Sequence, residues 1–259
     1  MEPGDPPPAG DDGLRGAGVG EHRSIAKFWE LIWDLPVSNG IKVFAVRLLH
    51  ACVPCAAMEA AHRTREECFV QCGACRPHVQ PPLALPAETY SHLFLDCPAY
   101  RPAVEWLASL WDKLAGERPP LDAACIITAE PSSWRPADAA LVPAWHALRL
   151  TLLHSIWSVR CSTDGTLPSA ASVVRLMIRR VTEEVHLQYR RARQRIAMER
   201  ALPPEVLATR RLRPSKDGYA EWQRLGLCTE LSPSVPGGTS HLVVLLSSTH
   251  PVPAPADPP

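Results

Sequence analysis

Three thiols and one imidazole stand in two short clusters: Cys72-Gly73-Ala74-Cys75, then sixteen residues, then His92-x4-Cys97. C-x2-C followed by H-x4-C is a full ligand set for a tetrahedral Cys3His zinc site. A C-x2-C turn lets two thiolates grip one ion from a single bend, and Gly73 and Ala74 keep that bend uncrowded. Soft sulfur and nitrogen donors suit zinc better than magnesium or calcium. The intervening residues include Pro77, Pro81, Pro82 and Pro86, so they read as a loop that a metal closes. Two other readings compete: the cysteines are buried thiols, or they pair as disulfides, which requires an oxidising compartment.

Composition narrows these alternatives. Nine cysteines in 259 residues are too sparse for a disulfide scaffold, and the odd number leaves one unpaired. With 46% apolar and 21% charged residues the chain can build one or two packed domains. The formal net charge is zero, so whole-chain charge selects no class of partner. The N-terminus lacks a basic segment followed by an apolar one, so no signal peptide is expected. No run of eighteen apolar residues suggests a membrane span. The expected location is intracellular, nucleus or cytoplasm.

The expected fold is mainly α: a small zinc-nucleated helical domain, then a helical C-terminal region, with disordered termini. Residues 1–23 are rich in Pro, Gly and Asp and read as disordered. Within the zinc domain, 24–116, helices are predicted over about 25–35, 40–51, 55–66 and from Pro98 to about 115, the last stopped by Gly116. Trp106 and Trp111 fall at helical spacing and read as core. Cys52 and Cys55 form a second C-x2-C, read as small half-buried side chains, and Cys68 is a spare ligand. Residues 117–136 read as a Pro-containing linker with one apolar run, Cys125-Ile126-Ile127.

The helical region, 137–228, opens with a helix to about 160 whose start is set or kinked by Pro143. Its seam is Leu148, Leu152, Ile156 and Val159, and His146 and His154 read as packing or surface residues. Ser169 caps a long helix over about 170–200. Shorter helices are expected over 203–213 and 216–227. His241–Leu246 is β-prone without an obvious partner strand, inside a Pro-rich tail, 229–259, that reads as disordered.

Residues 171–216 hold eleven Arg and one Lys against four Glu, the one strong charge asymmetry in a neutral chain. Arg190, Arg191, Arg193, Arg195, Arg210, Arg211 and Arg213 are the candidate phosphate contacts, so RNA or DNA is the candidate partner. The competing reading is a solvated helix face, partly neutralised by Glu183, Glu184 and Glu199.

The order Phe28-Trp29-Glu30-Leu31-Ile32-Trp33, then "RLLH" at 47–50, the C-x2-C, and Glu88-Thr89-x-x-His92-Leu93-Phe94-x-x-Cys97-Pro98 resembles the reverse-transcriptase zinc-binding domain. That domain lies near the C-terminus of non-LTR retrotransposon polyproteins, and the resemblance covers about residues 24–114. A weaker echo at 148–160 is similar to the helix that often follows it. The chain departs from the family at Gly73, where a Pro is usual, at Val53-Pro54-Cys55 in place of Leu-Pro-Thr, and in a long Pro-rich gap before Glu88. The resemblance implies a descendant or fragment of a retrotransposon polyprotein that has lost its polymerase and binds nucleic acid.

Residue patterns for chemistry are missing. The sequence has no P-loop, no aspartate pair placed for two-metal catalysis, and no G-x-S-x-G elbow. A Cys3His set also leaves no open coordination position, which marks structural rather than catalytic zinc. The expectation is a non-enzyme with no small-molecule substrate and no membrane partner. The alternative is a helical protein-interaction module, which requires Trp106, Trp157 and Trp222 to lie exposed in apolar patches.

Overall fold

Residues 142–160 carry apolar or small side chains on nearly every face, and a helix of that kind has to be surrounded. In the computed structural model, which describes residues 29–55, 71–78, 86–128, 134–162, 168–201, 222–231 and 241–244, it is. Four helices organise these residues: α1 (Asn39–Leu49), α2 (Arg101–Ala115), α3 (Val142–Arg160) and α4 (Ala170–Ala201). α3 packs against α1, α2 and α4, and α2 also packs on α4. Twelve residues of α3 are buried, from Ala144 to Ile156. Its hydroxyls at Thr151 and Ser155 avoid desolvation by donating to the carbonyls of Ala147 and Thr151, each at 2.7 Å.

The helix ends follow local chemistry. Pro143 sits in the first turn of α3, where a missing N–H is no loss. Ser169 Oγ accepts the Ser172 amide at 3.2 Å, the expected cap of α4. Gly116 ends α2 in the left-handed region, at φ 73°. α1 ends with the same geometry but without glycine: Ala51 takes φ 51°, and the Cys52 amide reaches back to Arg47 O at 2.7 Å. α2 starts at Arg101, with Pro102 rather than Pro98 in its first turn. Cys97 is extended and its carbonyl accepts the Tyr100 and Arg101 amides, so a separate turn precedes the helix.

One hydrophobic cluster runs through both predicted regions. Phe44 of α1 meets Phe94, His154 and Trp157 with ring centroids 5.1–6.4 Å apart. Trp111 of α2 and Trp134 each pack edge-on against Trp145 of α3, at 5.1 and 5.4 Å. Trp106, Trp111 and Trp222 are buried and Trp157 is half-buried, so the patches required of a protein-interaction module at these positions do not form.

Two expectations need correction. The stretch read as a linker is built into the core: Cys125, Ile126 and Ile127 are buried in a π-helical turn, Ala124–Thr128. Arg149 of α3, fully buried, donates through Nη1 to the carbonyls of Ile126 and Ile127 at 2.7 and 3.0 Å. These carbonyls end a helical turn, where the dipole is negative, and among the described residues no carboxylate pairs with the guanidinium. The β-prone run has a partner after all. β1 (Cys228–Leu231) and β2 (His241–Val244) form an antiparallel pair with Cys228 opposite Val244. Both strands reach into the segment read as a disordered tail, and β2 touches α4. The predicted helices at 55–66 and 203–213, and residues 1–23, lie outside the described residues apart from Cys55.

Both α3 histidines are held neutral. Burial, then the charges of Arg149 and Arg135, push His146 down to about 3; burial and Arg180 push His154 down to about 4. The unfolded chain therefore takes up protons that the fold refuses. Stability is complete above the ordinary histidine value of 6.5 and falls as pH drops toward the folded values. His146→Phe removes one such site, so urea unfolding from about pH 7.5 to 5 should show wild type losing up to about 1.4 kcal/mol per pH unit more than the variant below about pH 6.5. Parallel slopes would refute this.

Candidate metal centre

Each predicted ligand is placed by backbone geometry that the sequence encodes locally. Cys72 and Cys75 open a short 3-10 turn, Gly73–His78, in which the Cys75 amide donates to Cys72 O at 3.2 Å. Gly73 is not forced by sterics, because a Cβ there would meet nothing within 4 Å. The second pair sits on a π-helical turn, His92–Asp96, closed by the Cys97 amide donating to His92 O at 2.7 Å. Residues five apart on an α-helix point about 140° away from each other. The wider turn brings them to one side, so H-x4-C fits this geometry. Thr89 starts the turn: its Oγ1 accepts the His92 amide at 3.1 Å and its carbonyl the Leu93 amide at 2.8 Å. The two halves are laced together by a bridge between Gln71 and Ala87 and by the Cys72 amide on Pro86 O at 2.9 Å.

The ligand atoms of Cys72, Cys75, His92 and Cys97 all lie within 4.8 Å of one another, and all four residues are buried. Cys75 Sγ is 3.1 Å from His92 Nε2 and 3.6 Å from Cys97 Sγ, and Cys72 Sγ is 3.9 Å from Cys97 Sγ. A tetrahedral ion with zinc-like bond lengths would set its sulfurs about 3.8 Å apart and S to N about 3.5 Å. A disulfide needs about 2.05 Å between sulfurs, so none of these is one. The donor set and spacing fit a tetrahedral metal. None of the other described cysteines forms a disulfide among the described residues, and neither exposed Cys52 nor buried Cys55 joins the cluster. Cys68 lies outside the described residues.

The electrostatics also favour a cation. Hydrogen bonding from Cys97 pulls the Cys72 thiol down to about 4 against the effect of burial, with help from His92, Cys75 and the Ala74 amide. Burial and then the Cys72 charge push Cys75 up to about 11. Cys97 moves upward because its proton is held by Cys72, with burial adding to the shift. Three thiols this close cannot all ionise unless a positive charge enters among them, and a divalent ion supplies it.

The remaining residues of the Glu88–Pro98 run anchor the centre to the core. Glu88, buried, accepts from Arg160 at the end of α3, with Nη2 at 2.7 Å and Nε at 3.1 Å on the same oxygen. Tyr90 donates its hydroxyl to Val53 O at 2.6 Å. Leu93 and Phe94 are fully buried. Sequence reasoning singled out the four residues that cluster here and missed this ion pair. Its signal was available, because an acid and an arginine 72 positions apart close the two runs singled out as motifs.

The candidate phosphate contacts are less concentrated. Arg190, Arg191 and Arg193 are exposed and Arg195 half-exposed on the last turns of α4, beyond its last fully buried residue, Val185. Arg191 and Arg195 line one cleft, while Arg193 lies over the Tyr189 ring at 5.8 Å and donates to its hydroxyl. The four thus wrap the helix rather than form one face. Arg210, Arg211 and Arg213 fall outside the described residues. No helix among the described residues is long and apolar enough to cross a membrane.

Glu88→Gln should separate anchoring from ligation. It leaves the Arg160 charge half-buried without its counter-charge, which should lower unfolding free energy by about 3 kcal/mol while metal stoichiometry stays unchanged. Unaltered stability in urea, or loss of the metal, would contradict these roles.

The chain matches no protein-family model, no curated protein and no solved structure.

Proposed function

We propose that the protein is a structural-zinc module that binds RNA or DNA, descended from the zinc-binding region of a retrotransposon polyprotein and without polymerase or nuclease chemistry of its own. The observation that carries the reading is the buried quartet of Cys72, Cys75, His92 and Cys97. Four protein ligands leave a zinc ion no open position for water, so its role is to hold the fold. In zinc-finger peptides such binding contributes on the order of 10 kcal/mol of folding free energy. Here the ion would lock together two segments, 71–78 and 86–97, adding to the Gln71–Ala87 bridge and the Cys72 amide on Pro86 O.

The descent rests on the resemblance of the Glu88–Pro98 run. It gains support because most of the residues that carry the resemblance also hold the fold together. Glu88 pairs with Arg160, Thr89 caps, His92 and Cys97 are placed to ligate, and Leu93 and Phe94 fill the core. Nucleic-acid binding rests on the arginine-rich end of α4, which extends past the core with its cations exposed. Phosphate neutralisation by such a surface releases counterions and makes affinity salt-dependent.

Anisotropy titration of labelled RNA and DNA, single- and double-stranded, between about 50 and 200 mM salt tests this. Replacing Arg190, Arg191, Arg193 and Arg195 by Gln should weaken binding at least about ten-fold and reduce the log–log salt slope by about 3. Absence of binding at about 50 mM salt to every nucleic acid would overturn the reading.

A further inference from the structure

A cleft of about 470 Å³ lies between the segment 33–42 and the arginine-rich half of α4. That is within the size range of small-ligand sites. Its lining combines three kinds of group. Trp33 is 54% exposed, the most exposed aromatic side chain among the described residues. Lys42, Arg191 and Arg195 supply positive charge. Lys42 is fixed in place, since its Nζ donates to Trp33 O at 2.6 Å. Gln188 lines the cleft as well: it donates through Nε2 to Glu184 at 3.0 Å, and its Oε1 has no hydrogen-bond partner among the described residues.

An exposed indole, clustered cations and an unused carbonyl match the three parts of a nucleotide. A base has a face to stack, N–H groups on its edge, and a phosphate alongside. We infer that this cleft holds one nucleotide of a single strand, its base on Trp33, its edge toward Gln188, and its phosphodiester between Arg191 and Lys42. The inference rests on the nucleic-acid reading above and places the contact. Duplexes fit poorly, because their base faces are already covered by stacking. The cleft also fits by charge. Asp34 and Glu184 line it too, so three cations face two carboxylates. That leaves one net positive charge, which suits the single charge of a phosphodiester.

The test uses the full zinc-loaded chain and a labelled twelve-nucleotide single strand of mixed sequence, as RNA and as DNA, with the matching duplex as competitor. Single strand should bind about ten-fold tighter than duplex. Trp33→Ala should weaken single-strand binding about ten-fold and leave duplex binding unchanged, whereas Trp33→Phe keeps most of the affinity. Arg191→Glu should weaken binding and lower the salt slope by about 1. Both positions are exposed, and retained zinc and unchanged circular dichroism would establish that each variant folds. If single strands bind but neither variant changes affinity, the cleft assignment is wrong and the nucleic-acid reading survives. If no nucleic acid binds wild type at about 50 mM salt, both are wrong.

Discussion

Three buried thiols and an imidazole lie within 4.8 Å of one another, close enough for one metal ion to hold all four. In the segment carrying Cys72 and Cys75, these two thiols and Ala74 are buried, while Gln71 and Gly73 are exposed. The second segment has more: Leu93, Phe94 and Tyr90 sink into the core beneath His92 and Cys97. A metal would tie the first segment to the second. That coupling explains a centre that faces inward rather than toward a substrate.

Force is passed from this centre into the helices by two polar links and one aromatic one. Glu88 and Arg160 join the start of the π-helical turn to the end of α3. Tyr90 ties the same turn to Val53, just after α1. Phe44 brings α1, the turn and α3 together through Phe94, His154 and Trp157. A buried ion pair stabilises little beyond an apolar pair of equal size, but it fixes one arrangement, and removing one partner is costly. Here it sets which end of α3 meets the metal ligands. Arg149 acts similarly at the other side, holding the 124–128 turn through two carbonyls.

Much of this could be read in the sequence, for physical reasons. Helix periodicity, with Ser169 as the start of α4 and Gly116 as the stop of α2, located both helices closely, because those signals act within one turn of chain. The four clustered residues were legible because metal coordination would demand fixed residue types at short spacings. What the sequence hid depends on distant partners. Cys125-Ile126-Ile127 looks like a linker until Arg149 caps its carbonyls, and β2 looks unpaired until the chain returns beside Cys228. The π-helical turn was hidden too, since H-x4-C says nothing of the backbone between its ends. The arginines of α4 were legible as charge but not as geometry: only the fold shows Arg191 and Arg195 turned to one cleft and Arg193 laid on Tyr189.

The most direct test of the central claim is metal content by mass spectrometry on protein purified without added zinc, alongside Cys97→Ser and His92→Ala. One zinc per chain in wild type, lost in both variants together with cooperative unfolding, is the predicted result. A folded wild-type chain containing no metal would contradict the account and leave the quartet as buried thiols beside a histidine.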